Sequence, residues 1–499
     1  MTTISRVFGL LRDSVIATYF GASAGTDAFF VAFKIPNYLR RIFGEGAFSQ
    51  AFVPVLNEIR SQQGEAEAHR LVNYVTGSLG MILFAVTVIG IVIAPILIML
   101  FAPGFIGDED KFDLSVDMLR ITFPYIFFIS LTALAGGVLN TYGRFGVPAF
   151  TPVLLNVALI LSAIFLSPLL EEPITALAWG VLIAGAVQLL FQLPFLARIR
   201  MLPRPKPDWH YAGVKRIITL MIPALFAVSI SQINLMIGLL LASFLQEGSI
   251  TWLYNSDRIM EFPLGVFGVA LATVILPDLS RRYAEGATQE FSRVLDWALR
   301  WSVLITLPAM LGLVLMSGPV LTTIFQYGQF TPRHVSMTTL SLITYSLGLS
   351  GHVLIKIFAS SYFSRQDTRT PVKAGVAAIV ANIILCLVFV VPLQHAGLAL
   401  ATSLAAYVNC GLLYYFLRKR QVYQVQAGWI VYMCRVGGAC LLMSAALMFY
   451  VPDVDVWMGW GVGDRVLNLM MWVSVGMIIY VGTLWLLGLR PRHMTVAGH

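Results

Sequence analysis

A helix needs about 20 mostly apolar residues to cross the hydrocarbon core of a bilayer. Runs of that kind recur fourteen times along this chain, at 3–20, 26–44, 71–102, 115–141, 148–169, 174–197, 217–245, 250–277, 300–325, 335–363, 371–392, 396–417, 427–451 and 466–489. Backbone in hydrocarbon must satisfy its own hydrogen bonds, and continuous apolar runs of this length do so as helices. The first two runs are interrupted by charge, and the second stops near Gly44 and Gly46, with an amphipathic stretch continuing to about Arg60. Only 12% of residues are charged and 58% are hydrophobic, against about 25% charged in a soluble domain. No polar stretch is long enough to build a separate soluble domain. The expected fold is therefore an all-α polytopic membrane protein of about 14 transmembrane helices.

The loops test that count. Lys and Arg collect in alternate loops: Arg198, Arg200, Arg204, Lys206, Lys215 and Arg216 in one, then Arg281 and Arg282, then Arg365, Arg369 and Lys373, then Arg418, Lys419 and Arg420. The intervening loops carry Asp108, Glu109, Asp110, Glu171 and Glu172, with Lys111, Arg120, Arg333 and Arg465 as their few cations. Positive loops mark the cytoplasmic side, so both termini are expected there. The same bias accounts for the net charge of +8 without invoking nucleic acid. Arg6, Arg12 and Asp13 break the first run too early for a signal peptide. Residues 279–299 read either as an amphipathic helix on the inner face or as a solvated connector. The four cysteines sit in apolar runs without CxxC spacing, as small buried hydrophobes.

Two segments echo each other. GAFSQAFVPVL (46–56) closes the second run and GVALATVILPDL (268–279) closes the eighth. Each follows a charged stretch and a proline, Pro36 or Pro263. Six spans separate them, as two parallel six-helix halves would require.

Charge inside the apolar runs is costly, about 2.5–3.5 kcal/mol per mid-membrane group on insertion scales. It is also unevenly placed. Arg6, Arg12 and Asp13 lie in span one; Asp27, Lys34, Arg40 and Arg41 in span two; Asp257, Arg258 and Glu261 in span eight; Lys356 in span ten; Arg435 in span thirteen. Local pairing, Arg12 with Asp13 or Asp27 and Arg258 with Glu261, explains part of this, and Arg41 can snorkel to the surface. The cations outnumber the acids, Glu45 included, and a guanidinium fork suits phosphate or carboxylate. There is no G-x-x-x-x-G-K-[ST] loop and no HExxH. His352 and His395 read as packed side chains.

SRVFGLLRD (5–13), TDAFFVAFKIPNYLRRIFGEGAFSQAFVPVL (26–56), SDRIMEFPLGVFGVALATVILPDLS (256–280) and SRQDTRTPVK (364–373) closely resemble the MurJ/MviN family of lipid II flippases, in the MOP exporter superfamily. The resemblance covers essentially the whole chain. It implies an N-terminal lobe at 1–198, a basic cytoplasmic linker at 199–216, a C-terminal lobe at 217–420, and spans 13–14 at 421–499 forming a groove for a lipid tail. It further implies transport of lipid II, undecaprenyl diphosphate bearing a disaccharide-pentapeptide, from the inner to the outer leaflet by alternating access around a cationic cavity. Arg6, Arg12, Arg40 and Arg258 match the family's required arginines and would bind diphosphate. Asp13, Asp27 and Glu261 match neighbouring acids that would orient them or form a gate. Lys34, Arg41 and Lys356 are further cations without a matched role. No cofactor or metal is implied. Spans seven and eleven offer Asn234 and Asn382 but no carboxylate, so membrane potential is a better expected drive than sodium. Family members usually have a longer stretch before the first arginine motif. The expected protein is a monomer in the bacterial inner membrane, in contact with membrane lipids and with wall-synthesis or division proteins as candidate partners.

Other readings make different demands. A drug or cation antiporter needs an acidic cavity. A membrane enzyme acting on lipid-linked glycans needs a large outer loop with a catalytic carboxylate, and the outer loops here are short. A purely structural scaffold leaves the buried charge uncompensated.

Overall fold

The computed structural model describes residues 2–41 and 47–489. Gly44, Glu45 and Gly46, and the side chain of Asn234, lie outside the described residues. Among the described residues the regular elements are α-helices joined by short 3₁₀ and π turns. Within the described residues, the fourteen apolar runs lie mainly on helix. Among the described residues, ten continuous helical stretches are long and apolar enough to cross a membrane by length and composition. The chain divides into two compact units, 1–251 and 252–499.

The first unit contains α1 (Thr2–Phe20), α2 (Ala24–Arg40), α3 (Ala47–Gln63), α4 (Glu65–Val92), α5 (Ala94–Phe101), α6 (Glu109–Thr122), α7 (Tyr125–Thr141), α8 (Gly146–Leu161), α9 (Thr175–Arg198), α10 (Ala212–Ser243) and the first turn of α11 (Ser249–Pro263). α3 is the amphipathic stretch expected after span two. It buries Phe48, Ala51, Phe52, Val55, Leu56 and Ile59, the three-and-four spacing of a single helix face. α10 packs against this helix, and Arg216 pairs with Glu58 in two bonds of 2.9 and 2.8 Å. The basic segment before α10 runs over α4: Asn73 accepts from the Arg204 amide at 2.6 Å and, through its carbonyl, from the Lys206 amide at 3.2 Å. Gly77 permits the crossing, since a Cβ there would meet the Lys206 backbone at 2.3 Å.

The second unit contains the rest of α11, then α12 (Val269–Ala284), α13 (Thr288–Leu315), α14 (Ser317–Phe325), α15 (Pro332–Ser346), α16 (Leu349–Phe363), α17 (Arg369–Lys419), α18 (Trp429–Tyr450), α19 (Val454–Gly459) and α20 (Val462–Leu486). α17 has 51 residues and would be about 75 Å long if straight. It turns at Gln394, whose φ of 49° and ψ of −129° are non-helical. Gly397 allows the close return, because a Cβ would lie 2.2 Å from the Phe389 carbonyl. Spans eleven and twelve are the two arms of this hairpin. The 279–299 segment corrects the surface-helix reading, and its residues around 283–289 are a largely exposed connection. It is no separate surface helix: α12 continues to Ala284, Gly286 turns with φ of 69°, and α13 starts at Thr288.

The echo between spans two and eight has a counterpart in the helix order. Each unit has an acid-bearing helix and a proline-containing helix in succession: α2 and α3, α11 and α12. A long helix then ends in a short one, α4 and α5 or α13 and α14. A two-part span follows, α6 and α7 or α15 and α16. In the first unit α3 packs on α4 and α7; in the second, α12 packs on α13 and α16.

Prolines inside these helices free carbonyls that hydrocarbon cannot solvate. Neighbouring hydroxyls take two of them. Pro36 leaves Ala32 O without its helical donor, and Thr122 Oγ1 donates to it at 3.0 Å. Pro308 does the same to Leu304 O, and the Tyr480 hydroxyl donates to it at 2.7 Å. Arg465, expected in an exposed outer loop, is instead buried. It donates to the carbonyls of Trp457, Thr322, Gln326 and Met458 and so closes the end of α14. Cys386 and Cys440 are buried as expected, but Cys434 is exposed on the apolar surface of α18 and Cys410 is half-buried.

Candidate functional site

In the first unit, α1 carries Arg12 and Asp13 well inside the protein, at 6% and 2% exposure. The guanidinium wraps round its neighbour, donating from Nε at 2.9 Å and from Nη2 at 2.6 Å to Asp13 Oδ1. Of the two expected partners, the structure selects Asp13. A buried arginine has several N–H groups to satisfy, and a carboxylate beside it fixes the plane of the fork. Arg6 lies nearly two turns earlier on α1, half-buried. α1 is held against α8, where Asn156 Nδ2 donates to Ser5 O at 3.2 Å.

On α2, Arg40 is half-buried and its Nε donates to Asn37 Oδ1 at 2.8 Å. Lys34 is half-buried, whereas Arg41 is exposed at the end of the helix. Helix α2 continues through Pro36 because Thr122 repairs the broken ladder. Arg40 is thereby carried on the same continuous helix as Asp27.

Asp27 is deeply buried, at 1% exposure, and both carboxylate oxygens are engaged. Its Oδ1 accepts from the Thr251 amide at 3.0 Å and from the Thr251 hydroxyl at 2.8 Å. Its Oδ2 accepts from the Gly248 amide at 2.8 Å and from Lys111 Nζ at 3.3 Å. Asp27 therefore caps the first turn of α11, placing a negative charge on the positive end of the helix dipole. Lys111 is 9% exposed and lies 4.2 Å from the centre of the Phe105 ring. Beside this cluster, Glu247 Oε1 accepts from the Ala24 amide at 2.7 Å. Sequence reasoning placed Lys111 in an outer loop. Its position among the acids of GDEDKFD hid its role, and nothing in the local sequence points from Lys111 to Asp27.

In the second unit, Arg258 and Glu261 on α11 pair across one turn at 3.6 Å, with side chains 29% and 51% exposed. The π turn Leu264–Gly268 follows directly and separates α11 from α12. Lys356 on α16 lies against this turn, since a Cβ on Gly268 would sit 3.2 Å from its Cδ. His352 lies one turn before Lys356, and its Nε2 has no partner among the described residues. His395 is packed, with Nε2 3.0 Å from Met337 O. Among the described residues no group of three or more His, Cys, Asp or Glu side chains is placed to hold a metal ion.

The same unit carries an apolar groove of about 640 Å³ between α13, α18 and α20. Leu304, Pro308 and Gly312 form one wall; Met443, Trp472 and Tyr480 contribute to the others. The floor is open at Gly312, where a Cβ would meet nothing within 4 Å. Sequence reading anticipated a role for the last two spans but not the part α13 plays in building the groove.

Apolar helices that keep a paired arginine buried in the first unit, and an apolar groove in the second, fit a polytopic membrane transporter. The comparisons make that class specific. Residues 16–471 match the family model for the lipid II flippase MurJ. The probable lipid II flippase MurJ of Vibrio cholerae is 46% identical over 100% of this chain and 96% of its own length. The lipid II flippase MurJ of Burkholderia cenocepacia is 42% identical over 98% of this chain and 96% of its own. A solved structure of lipid II flippase MurJ in an inward closed conformation superposes with a TM-score of 0.81 at 28% identity, covering 97% of this chain and 96% of that one. An inward-facing MATE family multidrug transporter of the MOP superfamily shares the fold alone, with a TM-score of 0.68 at 15% identity over 83% of this chain and 94% of that one. This chain belongs to the lipid II flippase MurJ family.

Proposed function

We propose that this protein flips lipid II from the inner to the outer leaflet of the bacterial cytoplasmic membrane, supplying peptidoglycan synthesis. The observation that carries the reading is Arg12, a buried arginine in a membrane helix, with half-buried Arg6 and Arg40 in the same unit. Diphosphate is the part of the substrate that such cations recognise, and Arg258 is the matching cation of α11. Asp13 orients Arg12. Asp27 acts as a latch whose bonds to the first turn of α11 must break when access changes sides, and Glu261 restrains Arg258. Lys34 and Lys356 add positive charge along the path, while Arg41 reaches water.

The tail of the substrate is a long polyprenyl chain. The groove of α13, α18 and α20 supports this reading by offering an uncharged surface for it while the headgroup crosses. Transport proceeds by alternating access, driven by membrane potential or an ion gradient, without ATP or another cofactor. The working unit is a monomer with both termini in the cytoplasm. Its lobes are 1–198 and 217–420, with 199–216 as a cytoplasmic linker and 421–499 devoted to the tail. Wall-synthesis or division proteins are its candidate partners. The cation-antiporter reading is weaker, because its buried acid Asp27 is committed to Lys111 and Thr251.

The test is complementation of a flippase-depleted cell followed by a leaflet-resolved measurement of lipid II. Wild-type chain should restore outer-leaflet lipid II. Restored growth with lipid II still confined to the inner leaflet would refute the assignment.

A further inference from the structure

A second cavity lies in the second unit, separate from the tail groove. It encloses about 510 Å³ among α13, α16, α17 and α18. Four helices build it from side chains one turn apart: Leu299 and Val303, Leu354 and Phe358, Cys410 and Tyr414, Trp429 and Met433. No residue in the lining is charged. Its flank is apolar and open: Met433 is 42% and Val425 43% exposed, and Ile430 beside them is 83% exposed. In a membrane protein that face meets hydrocarbon, not water.

One end is chemically different. Trp429 donates from Nε1 to Asp296 at 2.7 Å, and the Tyr423 hydroxyl donates to the same oxygen at 2.6 Å. Tryptophan and tyrosine in this setting mark the level of the headgroups. Arg300 sits there, its guanidinium 5.2 Å from the Trp429 ring centre. Its Nε is held by Asp296 at 2.8 Å and its Nη2 by the Ala427 carbonyl at 2.9 Å, while Nη1 makes no hydrogen bond among the described residues. An apolar slot open to hydrocarbon, with the Arg300–Asp296 pair fixed at its headgroup end, offers an acyl chain an apolar surface and a phosphate a guanidinium N–H.

We propose that this cavity holds one acyl chain of a bilayer phospholipid, with the lipid phosphate at Arg300. The lipid is a structural part of the elbow between α17 and α18. Its phosphate is the group that all glycerophospholipids share, so headgroup charge does not decide occupancy. Chain contacts with Phe358, Tyr414 and Met433 do.

Gly411 gives a clean test. It lines the cavity, and a Cβ there meets nothing within 4 Å, so Gly411→Phe fills the space without a backbone clash. Full-length protein in lipid nanodiscs is photolabelled with phosphatidylcholine or phosphatidylglycerol carrying a diazirine on one acyl chain, and labelled peptides are mapped by mass spectrometry. Labelling of 407–414 and 429–433 is expected with both lipids, above the level on the exposed apolar face of α17 near Val391. It should be lost in Gly411→Phe, while labelling of the α13–α20 groove persists. Persistent labelling of 407–414 in Gly411→Phe, labelling no stronger than near Val391, labelling by phosphatidylglycerol alone, or displacement of the label by a polyprenyl diphosphate would each overturn the proposal. Thermal unfolding of Gly411→Phe in detergent should match wild type. A collapse there would also count against the fit of the phenylalanine and hence against the cavity as described.

Discussion

The Tyr480 hydroxyl donates to Leu304 O, the carbonyl that Pro308 leaves without a helical partner, at 2.7 Å. This bond ties α20 to α13 at the edge of the apolar groove. It turns a defect in one helix into a contact with another. Hydrogen bonds between membrane helices average about 0.6 kcal/mol and reach about 1.7 kcal/mol. Tyr480→Phe should therefore lower stability by roughly 1 kcal/mol, read as a drop in thermal unfolding temperature. In a Pro308→Ala background the new amide serves Leu304 O, and the same change should cost little. Equal costs in both backgrounds would show that the hydroxyl matters for some other reason.

Asp27 and Lys111 form a buried ion pair, and removing one partner leaves the other uncompensated. Such losses run to about 3–5 kcal/mol. Asp27→Ala and Lys111→Met should each be strongly destabilising in denaturant titration. The double variant should cost clearly less than their sum. Additivity would mean that the amide bonds from Gly248 and Thr251, rather than the pair, govern the site.

Gly312 floors the apolar groove proposed for the tail, with open space where its Cβ would be. Gly312→Phe should block the groove while leaving insertion and thermal stability near wild type. Lipid II transport should fall sharply, but binding of a headgroup analogue lacking the polyprenyl tail should persist. Unchanged transport would remove the groove from the mechanism.

The loop between α16 and α17 gives a pH signature. Burial by itself raises the Asp367 carboxyl, but hydrogen bonds from Thr370 and Arg420 outweigh it and hold the group below the ordinary carboxylate range. The folded value is lower than the unfolded value of about 3.9. Its stabilising contribution is thus complete above about pH 4 and is lost as pH falls through the lower folded value. Asp367→Asn should reduce stability at neutral pH and flatten the acid limb of a melting curve below about pH 4. An unchanged acid limb would assign that limb to other carboxylates.

The fold was readable to the extent that hydrophobic length and loop charge dictate it. The α17 hairpin reads from the sequence as two spans, 371–392 and 396–417, although its helical hydrogen-bonding pattern runs almost unbroken past Gln394. The pairing of Arg12 with Asp13 was one of two sequence possibilities, since adjacency brings it within reach but so does a turn to Asp27. What could not be read is anything requiring distant segments to meet. Lys111 and Asp27 are 84 residues apart, and Arg465 finds its carbonyls 143 and 139 residues away on one side. Both cations looked like ordinary loop charges. Their burial is set by where helix ends converge, which hydropathy does not encode. The groove was missed in part for the same reason: Leu304, Pro308 and Gly312 look like any apolar stripe until α18 and α20 stand beside them.

The central claim is that Arg12 handles the diphosphate of a translocated lipid. The most direct measurement is outer-leaflet lipid II in flippase-depleted cells expressing Arg12→Ala or Arg12→Lys, with membrane insertion quantified in parallel. The account predicts normal insertion of both, little or no outer-leaflet lipid II with Ala, and partial recovery with Lys, which restores charge without the planar fork. Normal outer-leaflet lipid II in the Arg12→Ala cells would contradict it.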